Sequence, residues 1–323
     1  SFVSHNSYFL TNVRIFRLFL HMSYPLLTIA KGKEHSIQRK HPWVFSGAIA
    51  TDSSELQDGD LVCLTTKKQQ ILGIGHFQHA TIAVRMLSFD YESIDLHFYE
   101  KRLANAYQLR LRIGLLNPEN NIFRLCHGEG DLLPGLIIDF YNGVAVIQCH
   151  SYGMFRQVEL IAEALKSVIG NELKAIYHKS SETLPKRELV SDGYLYGEVS
   201  IPHLALENGV KYHIDWVNGQ KTGFFIDQRE NRALLGKYAQ GKKVLNTFCY
   251  SGGFSLQALQ HGALLVHSLD SSKKAIALTD ANVTLNAFED RHGSIVDDAM
   301  DYMKNLPEDY DIIVLDPPAF AKH

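Results

Sequence analysis

The chain has 323 residues, of which 46% are hydrophobic, 11% aromatic and 21% charged. This composition excludes a disordered tail, a collagen-like fibre and a disulfide-stapled miniprotein, and at about 150 residues per domain the length predicts two or three domains. Lys plus Arg number 32 against 35 Asp plus Glu, a formal charge of −3, so any basic footprint for nucleic acid must be local.

Arg14, Arg17, Lys31, Lys33, Arg39 and Lys40 face only Glu34 near the start of the chain, whereas the sequence from Ala233 onward is acidic. The apolar run Ile15 to Leu27 is too short and interrupted to span a membrane. A signal peptide with a poor cleavage site at Thr28-Ile29-Ala30 is one reading. The preferred one makes residues 1–22 a non-native leader, with a natural start at Met22. Cys63, Cys126, Cys149 and Cys249 lie far apart, which argues against a zinc or disulfide framework and for a reducing cytoplasm. His76 and His79 fall in a strand-like run, Ile71 to Val84, where they would face opposite sides, so no metal site is expected.

From Leu26 to about Asp95, short strands broken by turns predict a small β-barrel. Leu96, Tyr99, Leu103, Tyr107, Leu111 and Leu115 recur at helical spacing. A hairpin is predicted around Tyr141-Asn142-Gly143, then a helix from Met154 to Ile169 and a strand at Ala175 to Tyr177. Beyond Val210, strands alternate with helices: strands at 211–217, 244–248, 264–269, 294–296 and 311–315, and helices from near Asp227, from the Gly252-Gly253 turn to about Gly262, at 273–285 and at 300–305. That alternation predicts a parallel doubly wound sheet, its last strand buried. The fold class is thus α/β, with domains at 24–95, 96–200 and 201–323.

Four features of the last domain carry chemistry. Val244 to Ser255 reads as strand, glycine turn and helix start, without the full glycine set of a pyrophosphate site; Gly252 and Gly253 would let backbone approach a ligand. Asp270 ends the next strand at close to the ~20-residue spacing of an acid that grips ribose hydroxyls. It could equally cap the helix that begins after Ser272. Asp297-Asp298, after the strand 294–296, could accept from an exocyclic amine such as adenine's, or cap the following helix. Asp316-Pro317-Pro318 closes a strand with a rigid, donor-free backbone on which a flat base could stack.

These blocks resemble class I S-adenosylmethionine-dependent methyltransferases, and more narrowly the RlmI-type large-subunit rRNA cytosine-carbon-5 methyltransferases. The resemblance runs from Leu26 to the end. Lys31-Gly32-Lys33-Glu34 and His41 to Gly47 resemble the family's PUA-like RNA-binding barrel. Gly128 to Leu136 resembles its α+β central domain, and Gln220 to Arg232 its most specific block. The resemblance implies a Rossmann-like class I sheet and S-adenosylmethionine as cofactor. It implies rRNA as partner, is compatible with a homodimer and suggests no membrane. Gln220, Thr222, Phe224 and Asp227 become candidates for the cofactor pocket, with one of Phe224 and Phe225 expected in the core. Phe248, Cys249, Gly252 and Phe254 would lie by the methionine moiety, Asp270 by the ribose and Asp298 by the adenine. Asp316, Pro317 and Pro318 would meet the target base. Arg229 and Arg232 would meet RNA or form supporting salt bridges.

Carbon-5 of cytosine is a weak nucleophile, and the usual solution is a Cys thiolate that first attacks carbon-6. The family carries that Cys in a Ser-Cys-Ser-like motif on a later strand, expected here beyond residue 323. The class I sheet likewise normally continues past the Asp-Pro-Pro strand, so the chain reads as part of a longer reading frame, its sheet incomplete. Two alternatives remain: methylation of an amino nitrogen on adenine or guanine, disfavoured because Ala319 separates Asp-Pro-Pro from Phe320, and a non-catalytic RNA- and cofactor-binding protein. A nicotinamide dehydrogenase is disfavoured by the missing third glycine.

Overall fold

The computed structural model describes residues 24–184, 190–306 and 309–317. The leader expected at 1–22 and the base-contact candidate Pro318 lie outside the described residues. The described chain forms two compact units. The first holds the chain up to Arg102 with His127–Leu136 and Cys149–Ala164; the second holds Leu103–Cys126, Ile137–Gln148 and the chain from Leu165. The segment assigned to a central domain contributes to both.

The first unit contains β1 (Leu26–Thr28), the short helix α1 (His35–Gln38), β2 (Trp43–Phe45), β3 (Leu61–Thr65), β4 (Ile71–Phe77) and β5 (Ile82–Ser88), with strand order β1-β3-β4-β5-β2. Val44, Val62, Leu64, Phe77 and Val84 fill its core. The strand-like run from Ile71 to Val84 spans an antiparallel pair, β4 and β5, with a turn between them. His76 is buried on β4, whereas His79 sits in the turn and meets Asp58 at 3.0 Å. The two histidines therefore share no site. The helix α2 (Leu96–Arg112) follows as the spacing predicts.

A second sheet has the order β10-β9-β8-β7-β6, formed by β6 (Ile122–His127), β7 (Leu136–Tyr141), β8 (Val144–Cys149), β9 (Ala175–His178) and β10 (Gly193–Tyr196). Asn142 and Gly143 both take positive φ, 46° and 93°, which suits the tight β7–β8 turn. The helix expected from Met154 is two, α3 (Tyr152–Arg156) and α4 (Val158–Ile169), because Gln157 leaves helical geometry at φ −102°, ψ 8°. The hairpin β11 (His203–Glu207) and β12 (Val210–Ile214) comes next.

The last part contains α5 (Arg229–Ala239), β13 (Lys243–Thr247), α6 (Gly253–Gln260), β14 (Leu265–Asp270), α7 (Lys273–Leu285), β15 (His292–Val296), α8 (Ala299–Lys304) and β16 (Ile312–Leu315). The strands pair in parallel in the order β15-β14-β13-β16. Ser272 caps α7 by accepting from the Ala275 N–H at 3.3 Å. One apolar core runs from Tyr141 and Val146 of the second sheet through Tyr212, Trp216 and Phe224 to Leu256 of α6 and Val283 of α7. The expectation of a buried last strand needs correction: β16 alternates half-buried with exposed residues, and Ile313 and Leu315 are open to solvent. Among the described residues it pairs only with β13. No helix among the described residues is long and apolar enough to cross a membrane.

Candidate cofactor site and its supporting joint

From β13 the chain moves outward to β14 and β15, then returns to the other side of β13 as β16. This reversal opens a crevice at the carboxyl ends of β13 and β16, the general ligand position in such sheets. Two of the motifs meet there: the turn Phe248–Gly253 leaves β13, and Asp316-Pro317 leaves β16. The Thr247 hydroxyl donates to the Val314 carbonyl at 2.7 Å and ties the two strand ends together.

The turn is tightly wound. Phe248, Tyr250 and Gly252 take φ of 54°, 50° and 76°. A Cβ on Gly252 would lie 2.7 Å from the Thr279 side chain, so this position must be glycine. The turn is stitched backward onto α7: Thr279 Oγ1 donates to the Tyr250 carbonyl and Asn282 Nδ2 to the Ser251 carbonyl, both at 3.0 Å. Cys249 is buried with Sγ 3.6 Å from Thr279 Oγ1, and burial pushes its thiol up to about 12. It lines the turn as an inert group rather than a nucleophile. Phe248 packs against Leu245, Leu269 and Ala299, on the opposite face of the sheet from Phe254, which packs against Val244, Leu259 and Val266. The two rings therefore do not converge on one pocket.

Asp270 is half-buried at the end of β14. Its Oδ2 accepts from the Tyr250 N–H at 3.1 Å and its Oδ1 from the Ser272 N–H at 2.9 Å. The helix cap is Ser272, which leaves Asp270 oriented by main chain with lone pairs to spare for a diol. Asp298 is exposed and does cap α8, accepting from the Met300 and Asp301 N–H groups at 2.8 and 3.0 Å. Asp316 and Pro317 are exposed at the strand end. A tight glycine turn beside an oriented carboxylate suits an adenosyl ligand without a diphosphate. Among the described residues no cluster of three or more His, Cys, Asp or Glu could hold a metal ion.

The block from Gln220 to Arg232 is used differently. Thr222 is fully buried; its hydroxyl donates to Asp139 Oδ2 at 2.7 Å and lies 2.8 Å from the Tyr141 hydroxyl. Asp139 is gripped in turn by Arg124 at 2.8 and 3.0 Å. Phe224 is buried against Tyr212, with the Arg232 guanidinium 4.6 Å from its ring centre. Thr222 and Phe224 thus build the wall behind the crevice rather than its lining. Gln220 and Asp227 stay exposed, and the Gln220 N–H reaches the Tyr250 hydroxyl at 3.1 Å. Arg229 is withdrawn from solvent into an ion pair, which corrects its placement against RNA and favours the supporting salt bridge. It donates to Glu207 Oε2 at 3.2 Å and to the Ile122 carbonyl. Arg232 donates to both Glu207 oxygens, at 2.7 and 2.8 Å. Glu207 is wholly buried between the two cations.

Sequence reasoning missed Glu207 and Tyr250. Glu207 lies in a strand that was not foreseen, and the Tyr250 hydroxyl acts on residues far away in the chain. A lone Glu in an apolar alternation was the one available signal for the first.

Residues 27–89 match the PUA-like domain family, and residues 124–323 match the S-adenosylmethionine-dependent methyltransferase family. The chain is 37% identical to ribosomal RNA large subunit methyltransferase I of Aeromonas hydrophila, over 91% of this chain and 76% of that one. It is 34% identical to the Escherichia coli protein of the same name, over 92% and 76%. Among solved structures, a chain from Streptococcus mutans assigned as a SAM-dependent methyltransferase superimposes with a TM-score of 0.76 at 27% identity, covering 91% of this chain and 77% of that one. A methyltransferase solved with SAH gives 0.78 at 26%, covering 93% and 77%.

Proposed function

The chain belongs to the S-adenosylmethionine-dependent methyltransferase family, and on that premise we propose that it methylates large-subunit ribosomal RNA at carbon-5 of a cytosine. The observation that carries the cofactor half of this reading is the backbone-lined turn at the switch point, with Asp270 fixed beside it by the Tyr250 N–H. When bound, S-adenosylmethionine supplies an electrophilic methyl group on its sulfonium. The turn Phe248–Gly253 holds its amino-acid end, Asp270 accepts from the ribose hydroxyls, and Asp298 accepts from the adenine amine. Asp316 and the prolines after it receive the target base at the end of β16. The PUA-like match at 27–89 and the printed names of the relatives support RNA as the substrate.

Attack on carbon-6 needs a thiolate, and on this reading it is none of the four cysteines Cys63, Cys126, Cys149 and Cys249. All are buried, and burial pushes the Cys63 thiol up to about 11 and that of Cys249 to about 12. The domain reading at 24–95, 96–200 and 201–323 and a cytoplasmic location belong to the same proposal. Nucleoside mass spectrometry of large-subunit rRNA from strains with and without the gene tests it. The expected result is loss of a 5-methylcytidine. Loss of an amino-methylated purine would replace the base assignment, and an unchanged nucleoside profile would overturn the reading.

A further inference from the structure

Tyr250 has a strained backbone, with φ of 50°, in a region that side-chain-bearing residues seldom occupy. Five contacts hold it. Its N–H donates to Asp270 Oδ2 at 3.1 Å, and its carbonyl accepts from Thr279 Oγ1 at 3.0 Å. Its hydroxyl accepts from the Gln220 N–H at 3.1 Å and donates to the Gly223 carbonyl at 3.4 Å. Its ring stands edge-on to Phe225, with centroids 5.3 Å apart. Burial holds the phenol above its usual range, so the proton stays available to donate.

The turn it reaches is compact and strained as well. Lys221 and Gly223 take φ of 50° and 104°, and Gly223 packs on the Asp215 main chain, where a Cβ would lie 2.8 Å from the carbonyl oxygen. The Lys179 ammonium donates to the Gly219 carbonyl at 2.6 Å, and the Gly223 N–H donates to the Gln220 carbonyl at 2.8 Å. Lys179 and Thr222 anchor this turn to the second sheet, and the Tyr250 hydroxyl is its link to the turn after β13.

We propose that Tyr250 is a positioning residue that ties the Gln220–Gly223 turn to Asp270, so that cofactor binding and the shape of that turn are coupled. The inference rests on the cofactor reading above. One residue orients the acid through its main chain and the neighbouring turn through its side chain. Without the hydroxyl the turn samples more conformers, and the binding-competent one is populated less, which weakens apparent affinity by the lost fraction. Once the ligand is bound the turn is ordered again, so turnover changes little.

Tyr250→Phe keeps the ring, the Phe225 contact and both main-chain bonds while removing the hydroxyl. Hydrogen exchange of the ligand-free protein is expected to show the Gln220 amide exchanging about fivefold faster, the scale of one net hydrogen bond, with β14 unchanged. Calorimetric titration with S-adenosylhomocysteine should give a Kd raised about fivefold. The KM for S-adenosylmethionine should rise alike, with kcat within about twofold. Phe225→Leu, which keeps the hydroxyl, should leave Gln220 exchange unchanged. Equal exchange and equal Kd in wild type and Tyr250→Phe overturn the coupling. A wild type that does not bind S-adenosylhomocysteine overturns the cofactor reading and the coupling with it, while the exchange comparison still reports on the Gln220 tether.

Discussion

The turn after β13 and the segment leading into α5 are both dense in motif residues, and they point them in opposite directions. In the turn, Thr279 and Asn282 reach in from α7 to hold the Tyr250 and Ser251 carbonyls, and Asp270 at the end of β14 is oriented by the Tyr250 N–H. In the segment, Thr222, Phe224, Arg229 and Arg232 all go inward, to Asp139, Tyr212 and Glu207. A buried carboxylate between two guanidiniums tolerates no missing partner, because each charge left behind is uncompensated. The most family-specific residues of a sequence thus need not touch the ligand. Some are specific because the joint that positions the site is hard to build.

That contrast breaks if stability and binding respond together. The largest effect is expected from Glu207→Ala, which strands two buried guanidiniums and should cost about 3–5 kcal/mol in urea unfolding. The protein that remains folded should bind S-adenosylhomocysteine within about twofold of wild type. Asp270→Asn should do the reverse, lowering affinity by about ten- to a hundredfold, the scale of ~1.5–3 kcal/mol for hydrogen bonds to a charged group, with little change in the urea midpoint. Thr222→Val removes the hydroxyl between Asp139 and Tyr141 and should lower stability by about 1–2 kcal/mol without changing the Kd. A large rise in Kd for this variant would return Thr222 to the pocket. The smallest effect is expected from Asp298→Ala. Loss of the cap of α8 should cost about 1 kcal/mol, and any loss of affinity beyond that sharpens its role toward the adenine.

Much of the fold was legible because period and turn chemistry agree. The helix Lys273–Leu285 begins and ends where the pattern says, with Ser272 as its cap. Asp270 and Gly252 were legible because a strand, a glycine turn and a second strand fix their spacing. Other features were not. The strands Gly193–Tyr196 and His203–Glu207 are short and partly exposed, so their apolar signal is weak. The sequence shows that Phe224 and Thr222 belong to a motif, but not which way they face, since the wall and the lining of a crevice share the same residues types. Arg229 looks like any helix-surface cation until β11 brings a buried Glu beneath it. The Tyr250 hydroxyl finds its partners through tertiary packing alone.

Hydrogen exchange of the whole chain with and without saturating S-adenosylhomocysteine tests the division between site and joint most directly. New protection is expected in Phe248–Gly253 and at Asp270–Ser272, with Arg229–Ala239 unchanged. Protection gained along Arg229–Ala239 and none in the turn would contradict it.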